Sequence, residues 1–496
     1  MSESSGDPSS HRLPTAALRV GALAFGPLLA LAVYAGVGAD ALTPAGRATL
    51  AVAAWMAAWW LTEAVPLAAT AMLPLALFPL LGVGDAGQTA APYASSIVFL
   101  FLGGFVLGLG MQRFGLHKRL ALLVLAAASN DTRRLIGAFM LVTALLSMWI
   151  SNTATVIMLL PIAASLLSAT AAPGSDAAAP DCRDVATALL LGVAYAASIG
   201  GVATLIGTPP NLILAAYLRE QYAVQVDMLT WLAVGLPFTA VMLPAAWFYV
   251  TRVVARGAPR TLPGSRQLFA QQRRALGPMS SGEHVVAVVF ALAVAGWVLR
   301  PQLVAVTGLT GLSDPVVAMS AALALFAIPV SIRPWTFAMD WPTARKLPWD
   351  ILLLFGGGLT LAAAISRHGV DGYLASGITA LGGAPFWLVA LALTALVVFL
   401  TEVTSNTAVT ATLLPVIAAA AAGLGLAPGP LLVAVAISAS CAFMLPVATP
   451  PNAIVFASGQ VTIAQMARAG LAMNVFAIAV ITVLITTGIG EGLTRG

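Results

Sequence analysis

The sequence predicts an all-α polytopic membrane protein assembled from two repeats of opposite sense. Three observations carry that prediction. Charged residues are 8% of a 496-residue chain that is 60% hydrophobic, the apolar residues gather in long runs, and two polar motifs each occur twice in the same order. A soluble domain needs roughly a quarter of its residues charged to cover its surface, so most of this chain's exterior faces apolar solvent. The runs reach the ~20 helical residues that cross a bilayer core. They are rich in Ala, Leu, Val and Gly and lack the strict alternation of a membrane barrel. The net charge of +5 sits mostly in loops, where it reports orientation and not a nucleic-acid partner. Two cysteines, Cys182 and Cys441, are too few and too far apart for a disulfide framework or a metal cluster.

Apolar runs between breakers place spans near 17–37, 49–64, 66–82, 94–111, 184–206, 229–251, 283–299, 313–331, 350–366, 428–447 and 470–490. Residues 1–16 read as a disordered cytoplasmic tail, and 17–48 as the first transmembrane helix with its following loop. Stretches 134–168 and 384–421 are too long for one span, and each holds a polar tripeptide near its middle. The basic linker 252–282, with Arg252, Arg256, Arg260, Arg266, Arg273 and Arg274, should face the cytoplasm. Counting spans from an inside N-terminus places the segments around Arg113–Arg119 and Arg333–Lys346 inside as well, and the C-terminus outside. The count holds whether 134–168 crosses twice or dips in and returns.

Ser151-Asn152-Thr153 recurs as Ser405-Asn406-Thr407, and the same offset carries Gly103-Gly104 onto Gly357-Gly358. Thr208-Pro209-Pro210-Asn211 recurs as Thr449-Pro450-Pro451-Asn452, at an offset shortened by a polar linker around 170–184 that the second half lacks. Matched polar and proline residues in one order establish a repeat, 49–251 against 283–496. The segment after Gly103-Gly104 falls inside and its counterpart outside, so the halves are inverted, an arrangement recurrent in secondary transporters.

Ser147 and Ser151 are four residues apart and share a helix face. Asn152 and Thr153 suit the N-cap of a following arm, whose free amides and positive dipole end favour a carboxylate. The preceding arm ends in free carbonyls, which suit Na⁺. An extramembrane turn, or polar glue between helices, is the alternative. Thr401 stands in the place of Ser147, and Glu402 is an ionisable group in an apolar stretch, either assisting a site or held as a structural, ion-paired carboxylate. Glu63, between two tightly joined spans, reads as interfacial. The paired prolines stop the helical ladder, exposing carbonyls that can ligate a cation if the break is buried; a simple kink is the competing reading. No nucleophile–base pair, Cys/His cluster or dinucleotide fingerprint supports an enzyme, and no charge ring supports a channel.

Paired Ser-Asn-Thr motifs followed by Pro-Pro-Asn breaks resemble the divalent anion:sodium symporters, the INDY-like dicarboxylate, citrate and sulfate carriers. Trp59-Trp60-Leu-Thr-Glu63-Ala-Val-Pro66 and the segment Ser440–Asn452 are similar to that family too. The resemblance implies eleven transmembrane helices with two re-entrant hairpins, at 134–168 and 384–421, a homodimer in a bacterial-type inner membrane, and elevator-type motion of a transport domain against a scaffold. It implies one Na⁺ site from Ser147, Ser151, Asn152 and the Gly207 carbonyl. A second would use Thr401, the Thr404 carbonyl, Asn406 and the Ala448 carbonyl. Substrate would meet Asn152 and Thr153 on one side and Ser405, Asn406 and Thr407 on the other, beside Thr208, Pro209 and Pro450. The expected activity is Na⁺ symport of C4-dicarboxylates such as succinate, malate or fumarate. A sodium-independent dicarboxylate exchanger and a citrate or sulfate carrier are the alternatives.

Overall fold

The computed structural model describes residues 16–170, 180–378 and 384–490. The expected tail and most of the expected 170–184 linker lie outside the described residues. Among the described residues helices dominate, and seven are long and apolar enough to cross a membrane, with six shorter apolar helices beside them. Large side chains such as Leu292 and Leu323 stand exposed on these helices, as they must where the surrounding solvent is lipid.

Each half presents the same sequence of parts. A long helix carries the Gly-Gly pair, Ser96–Phe114 in the first half and Trp349–Arg367 in the second. A helical hairpin follows: Thr132–Ser147 with Asn152–Thr170, and Phe386–Thr401 with Asn406–Gly423. Next comes a broken span: Pro180–Val202 with Pro209–Tyr222, and Pro428–Ala439 with Pro450–Ala457. Each half closes on one long helix, Met228–Tyr249 or Ile463–Thr486. The starts are written locally. Asp131 accepts from the Arg134 amide and Asp227 from the Thr230 amide, and Ser280 with Glu283 forms a capping box, which satisfies amides otherwise left open at a helix start.

The halves interlock. Pro209–Tyr222 packs on the second hairpin and on Pro428–Ala439, while Pro450–Ala457 packs on the Asn152–Thr170 arm and on Pro180–Val202. The doubled glycines explain themselves in the same exchanged way. A Cβ on Gly103 would lie 2.6 Å from the Ala318 carbonyl carbon, and one on Gly357 would lie 2.7 Å from the Ala71 Cα. Each glycine thus lets a helix of its own half press backbone to backbone against a helix of the other.

Three expectations need correction. The span expected over 428–447 is helical only to Ala439, and the one over 184–206 only to Val202. The remaining residues leave the helix because side chains take over their backbone groups, as described below. The span expected over 313–331 ends at Ala327, since Pro329 cannot continue it. A short antiparallel pair, Pro329–Ile332 with Trp335–Phe337, follows instead.

Candidate functional site

The two hairpin tips and the two helix breaks meet around one cavity of about 840 Å³. Its wall includes 149–154 and 403–407 from the tips, and 206–209 and 447–451 from the breaks. Of the residues expected at the site, Ser151, Asn152, Thr153, Gly207, Thr208, Pro209, Thr404, Ser405, Asn406, Thr407, Ala448 and Pro450 all line it. Ser147 and Thr401 lie behind the wall, fully buried. Each is tied to the asparagine of its tip: the Ser147 hydroxyl donates to Asn152 Oδ1 at 2.5 Å, and the Thr401 hydroxyl to Asn406 Oδ1 at 2.6 Å.

The tips turn within four residues. In the first, Ser151 serves as the cap expected of Asn152 and Thr153: its Oγ accepts from the Ala154 amide at 3.3 Å, and its carbonyl from the Thr155 amide. In the second, the Ser405 carbonyl accepts from the Val409 amide. Moving the cap back one residue leaves both asparagine side chains free to face their partners. The first amides of each second arm, at 152–153 and 406–408, have no carbonyl one turn earlier to bond, so they point toward the cavity end of the arm. A helix start of this kind attracts anions through its dipole.

The breaks are held open by their own asparagines. Asn211 Nδ2 donates to the carbonyls of Gly201, Val202 and Thr204, at 3.2, 3.2 and 2.7 Å. Asn452 Nδ2 donates to those of Ala442 and Leu445, at 3.2 and 3.1 Å. Both asparagines are buried, where an unpaired carbonyl would cost free energy comparable to a lost hydrogen bond. Trp231 Nε1 supplies a further donor to Val202. Among the described residues no donor meets the carbonyls of Gly207 or Ala448, which leaves each available at the cavity wall. Hydroxyl, amide and carbonyl oxygens together form a hard, oxygen-only donor set of the kind that suits an alkali or alkaline-earth cation.

Tip and break are joined differently in the two halves. In the first, the Thr204 hydroxyl donates to the Met148 carbonyl. In the second, Glu402 reaches from the tip and accepts from the amides of Phe443, Met444 and Leu445 and from Asn474 Nδ2. The ion-paired alternative for Glu402 is therefore replaced by a carboxylate held on neutral donors. Sequence reasoning missed Thr204 and Asn474. The signal for Asn474 was present, as a lone amide inside the apolar run 469–486.

The cavity reaches residues not expected at the site: Gln112, His117, Lys346 and Asp350, together with Glu63. Glu63 ends its helix in the left-handed conformation, with φ 47°, and its place on the wall goes beyond an interfacial role. His117 Nδ1 lies 2.9 Å from the Met111 carbonyl, and burial pushes its pKa down. The first tip is also braced from outside its own half. Trp149 stacks on Trp297 at 6.2 Å between centroids and meets Phe290 edge-on at 5.4 Å. Its counterpart Val403 is 65% exposed.

The sequence profile of the sodium:sulfate symporter transmembrane region matches residues 27–490. A sodium-dependent dicarboxylate transporter, SdcS, of Staphylococcus saprophyticus is 38% identical over 466 residues, covering 93% of this chain and 90% of the relative. SdcS of Staphylococcus aureus strain USA300 is 37% identical over 480 residues, covering 96% and 92%. Among solved structures, the YdaH transporter of Alcanivorax borkumensis superposes with a TM-score of 0.56 at 16% identity, covering 82% of this chain and 87% of that one. MtrF of Neisseria gonorrhoeae gives 0.54 at 14%, covering 82% and 83%. At such identities these two speak for the fold alone.

Proposed function

This chain belongs to the sodium:sulfate symporter family, and from that premise we propose that it carries C4-dicarboxylates across the plasma membrane by Na⁺ symport. One observation supports this above the others: two equivalent tips and two equivalent breaks surround a single cavity. A dianion such as succinate has two carboxylates, and the cavity offers two sets of neutral donors. Asn152 and Thr153 meet one carboxylate. Ser405, Asn406 and Thr407 meet the other, with Thr208, Pro209 and Pro450 beside them.

One Na⁺ is held by Ser147, Ser151, Asn152 and the Gly207 carbonyl, and another by Thr401, the Thr404 carbonyl, Asn406 and the Ala448 carbonyl. The cations supply the charge that balances the substrate without a buried Arg or Lys at the tips. Binding them orders the tips, so substrate meets an already competent site, and the two bind with positive coupling. The hairpins are re-entrant within inverted repeats 49–251 and 283–496. With the N-terminus and the 252–282 linker cytoplasmic, the hairpins and breaks travel together as a transport domain against the remaining helices, in a homodimer. The close relation to sodium-dependent dicarboxylate transporters favours dicarboxylate over sulfate or citrate.

Uptake of labelled succinate into proteoliposomes, with and without an inward Na⁺ gradient, tests the reading. Uptake that needs the gradient supports symport. Equal uptake without Na⁺, together with strict dependence on internal dicarboxylate, would show exchange instead.

A further inference from the structure

Glu402 is 3% exposed, and its four hydrogen-bond partners all donate to it. Its Oε1 accepts from the Phe443 amide at 2.7 Å, the Met444 amide at 2.9 Å and Asn474 Nδ2 at 2.7 Å, and its Oε2 accepts from the Leu445 amide at 3.0 Å. A carboxylate, which has only acceptors to offer, matches that set of donors. Three successive amides can converge on one anion only where they are released from helical hydrogen bonds, as at 443–445, a concave arrangement suited to a negative charge. Glu402 and the unwound residues 440–449 therefore define each other. Neighbouring Thr401 donates to the Ala439 carbonyl and to Asn406 Oδ1, and three residues beyond Leu445 the Ala448 carbonyl reaches the cavity. The carboxylate stands between the two parts of the second-half cation site.

Among the described residues of the first half, no carboxylate joins the tip to the break. The repeat puts Met148 at the matching place, and there the tip offers only a backbone carbonyl to Thr204. The two cation sites are thus built from like ligands but differ by one buried charge.

We propose that Glu402 is a positioning residue for the second-half cation. It fixes the segment that carries Ala448, and it places behind that site a negative charge that the first half lacks. The second-half site is accordingly the tighter of the two and fills first. This rests on the sodium reading given above.

The test uses the purified full chain and thermal unfolding against Na⁺ concentration, with K⁺ at equal ionic strength as control. Succinate uptake at saturating Na⁺ is measured in parallel. Glu402→Gln keeps the side-chain shape and removes the charge. The Na⁺ concentration for half-maximal protection should rise about tenfold, the size expected for one charge lost at a partly screened distance. The KM for succinate at saturating Na⁺ should change less than about threefold, which separates loss of the cation site from general damage. A protection midpoint within about twofold of the wild type overturns the proposal. If the Gln variant does not fold, Asn474→Leu, which removes one donor and keeps the charge, should raise the midpoint about two- to threefold; no rise overturns the proposal. A wild type protected no better by Na⁺ than by K⁺ refutes the sodium reading itself, a distinct result.

Discussion

Asn211→Asp changes one NH₂ to oxygen, with almost no change in shape, at the point where the first break is clamped. The wild-type amide donates to three carbonyls, the shortest at 2.7 Å. Aspartate can offer at most one proton to that set, so about two hydrogen bonds are lost and an acceptor is turned toward acceptors. At ~1 kcal/mol net for each bond, and more where a buried carbonyl is left bare, the break loses about 2–3 kcal/mol of support. If that support holds the Gly207 carbonyl in its ligating place, the competent conformation becomes scarcer, and the Na⁺ concentration for half-maximal succinate uptake rises about 30–160-fold. Asn452→Asp removes a two-carbonyl clamp and should shift the same constant by a smaller factor, on the order of tenfold. The assay is initial succinate uptake into proteoliposomes across a Na⁺ series, on protein that elutes as a single species. Wild-type Na⁺ dependence in both variants would refute the reasoning, because the clamps would then be irrelevant to the ion-binding shape.

Two further predictions concern the first tip and a surface ion pair. Trp149→Ala removes a stack on Trp297 and an edge contact with Phe290, about 1–3 kcal/mol in all. A cysteine at position 153 should then react faster with a water-soluble thiol reagent, while one at 407 keeps its rate; equal rates at 153 with and without Trp149 would count against the brace. Asp340 is held below the usual carboxylate range by the Thr343 hydroxyl and amide, with Arg113 at 2.6 Å adding to this. A lowered folded-state pKa stabilises the fold above the unfolded carboxylate's pKa, and the contribution is lost as pH falls through the lowered value. Asp340→Asn should therefore unfold more easily than the wild type near neutral pH, and the difference should vanish in acid; a gap that persists unchanged at about pH 3 would show the sign to be wrong.

The site was legible because polar residues in an apolar run are costly unless they do something, and here the same ones occur twice. The doubled Ser-Asn-Thr and Thr-Pro-Pro-Asn motifs named nearly the whole motif-bearing wall of the cavity. What escaped the sequence depends on long-range partners. The end of the helix at Ala439 is set by Glu402 and Asn452, and apolarity through 447 gives no hint of it. Capping by Ser151 in preference to Asn152 follows from the asparagine's bond to Ser147. Lys346, Asp350 and His117 reach the cavity from loops and helix starts far along the chain, and local pattern carries no record of such proximity. The Gly-Gly pairs were visible as repeats, but their reason is the backbone of the opposite half.

The asparagine clamps span very little chain. Asn211 reaches back 10, 9 and 7 residues, and Asn452 reaches back 10 and 7. Closing so short a loop costs little entropy, so each break can take its shape as soon as its own segment has been synthesised. The grip of Glu402 spans 41–43 residues to the amides and 72 to Asn474, and the last of these bonds requires the helix 463–486 to be in place. Biogenesis therefore has an order written into it. The cavity-facing turns are made early and locally, and the hold of the second tip on its break is completed only when the helix carrying Asn474 arrives.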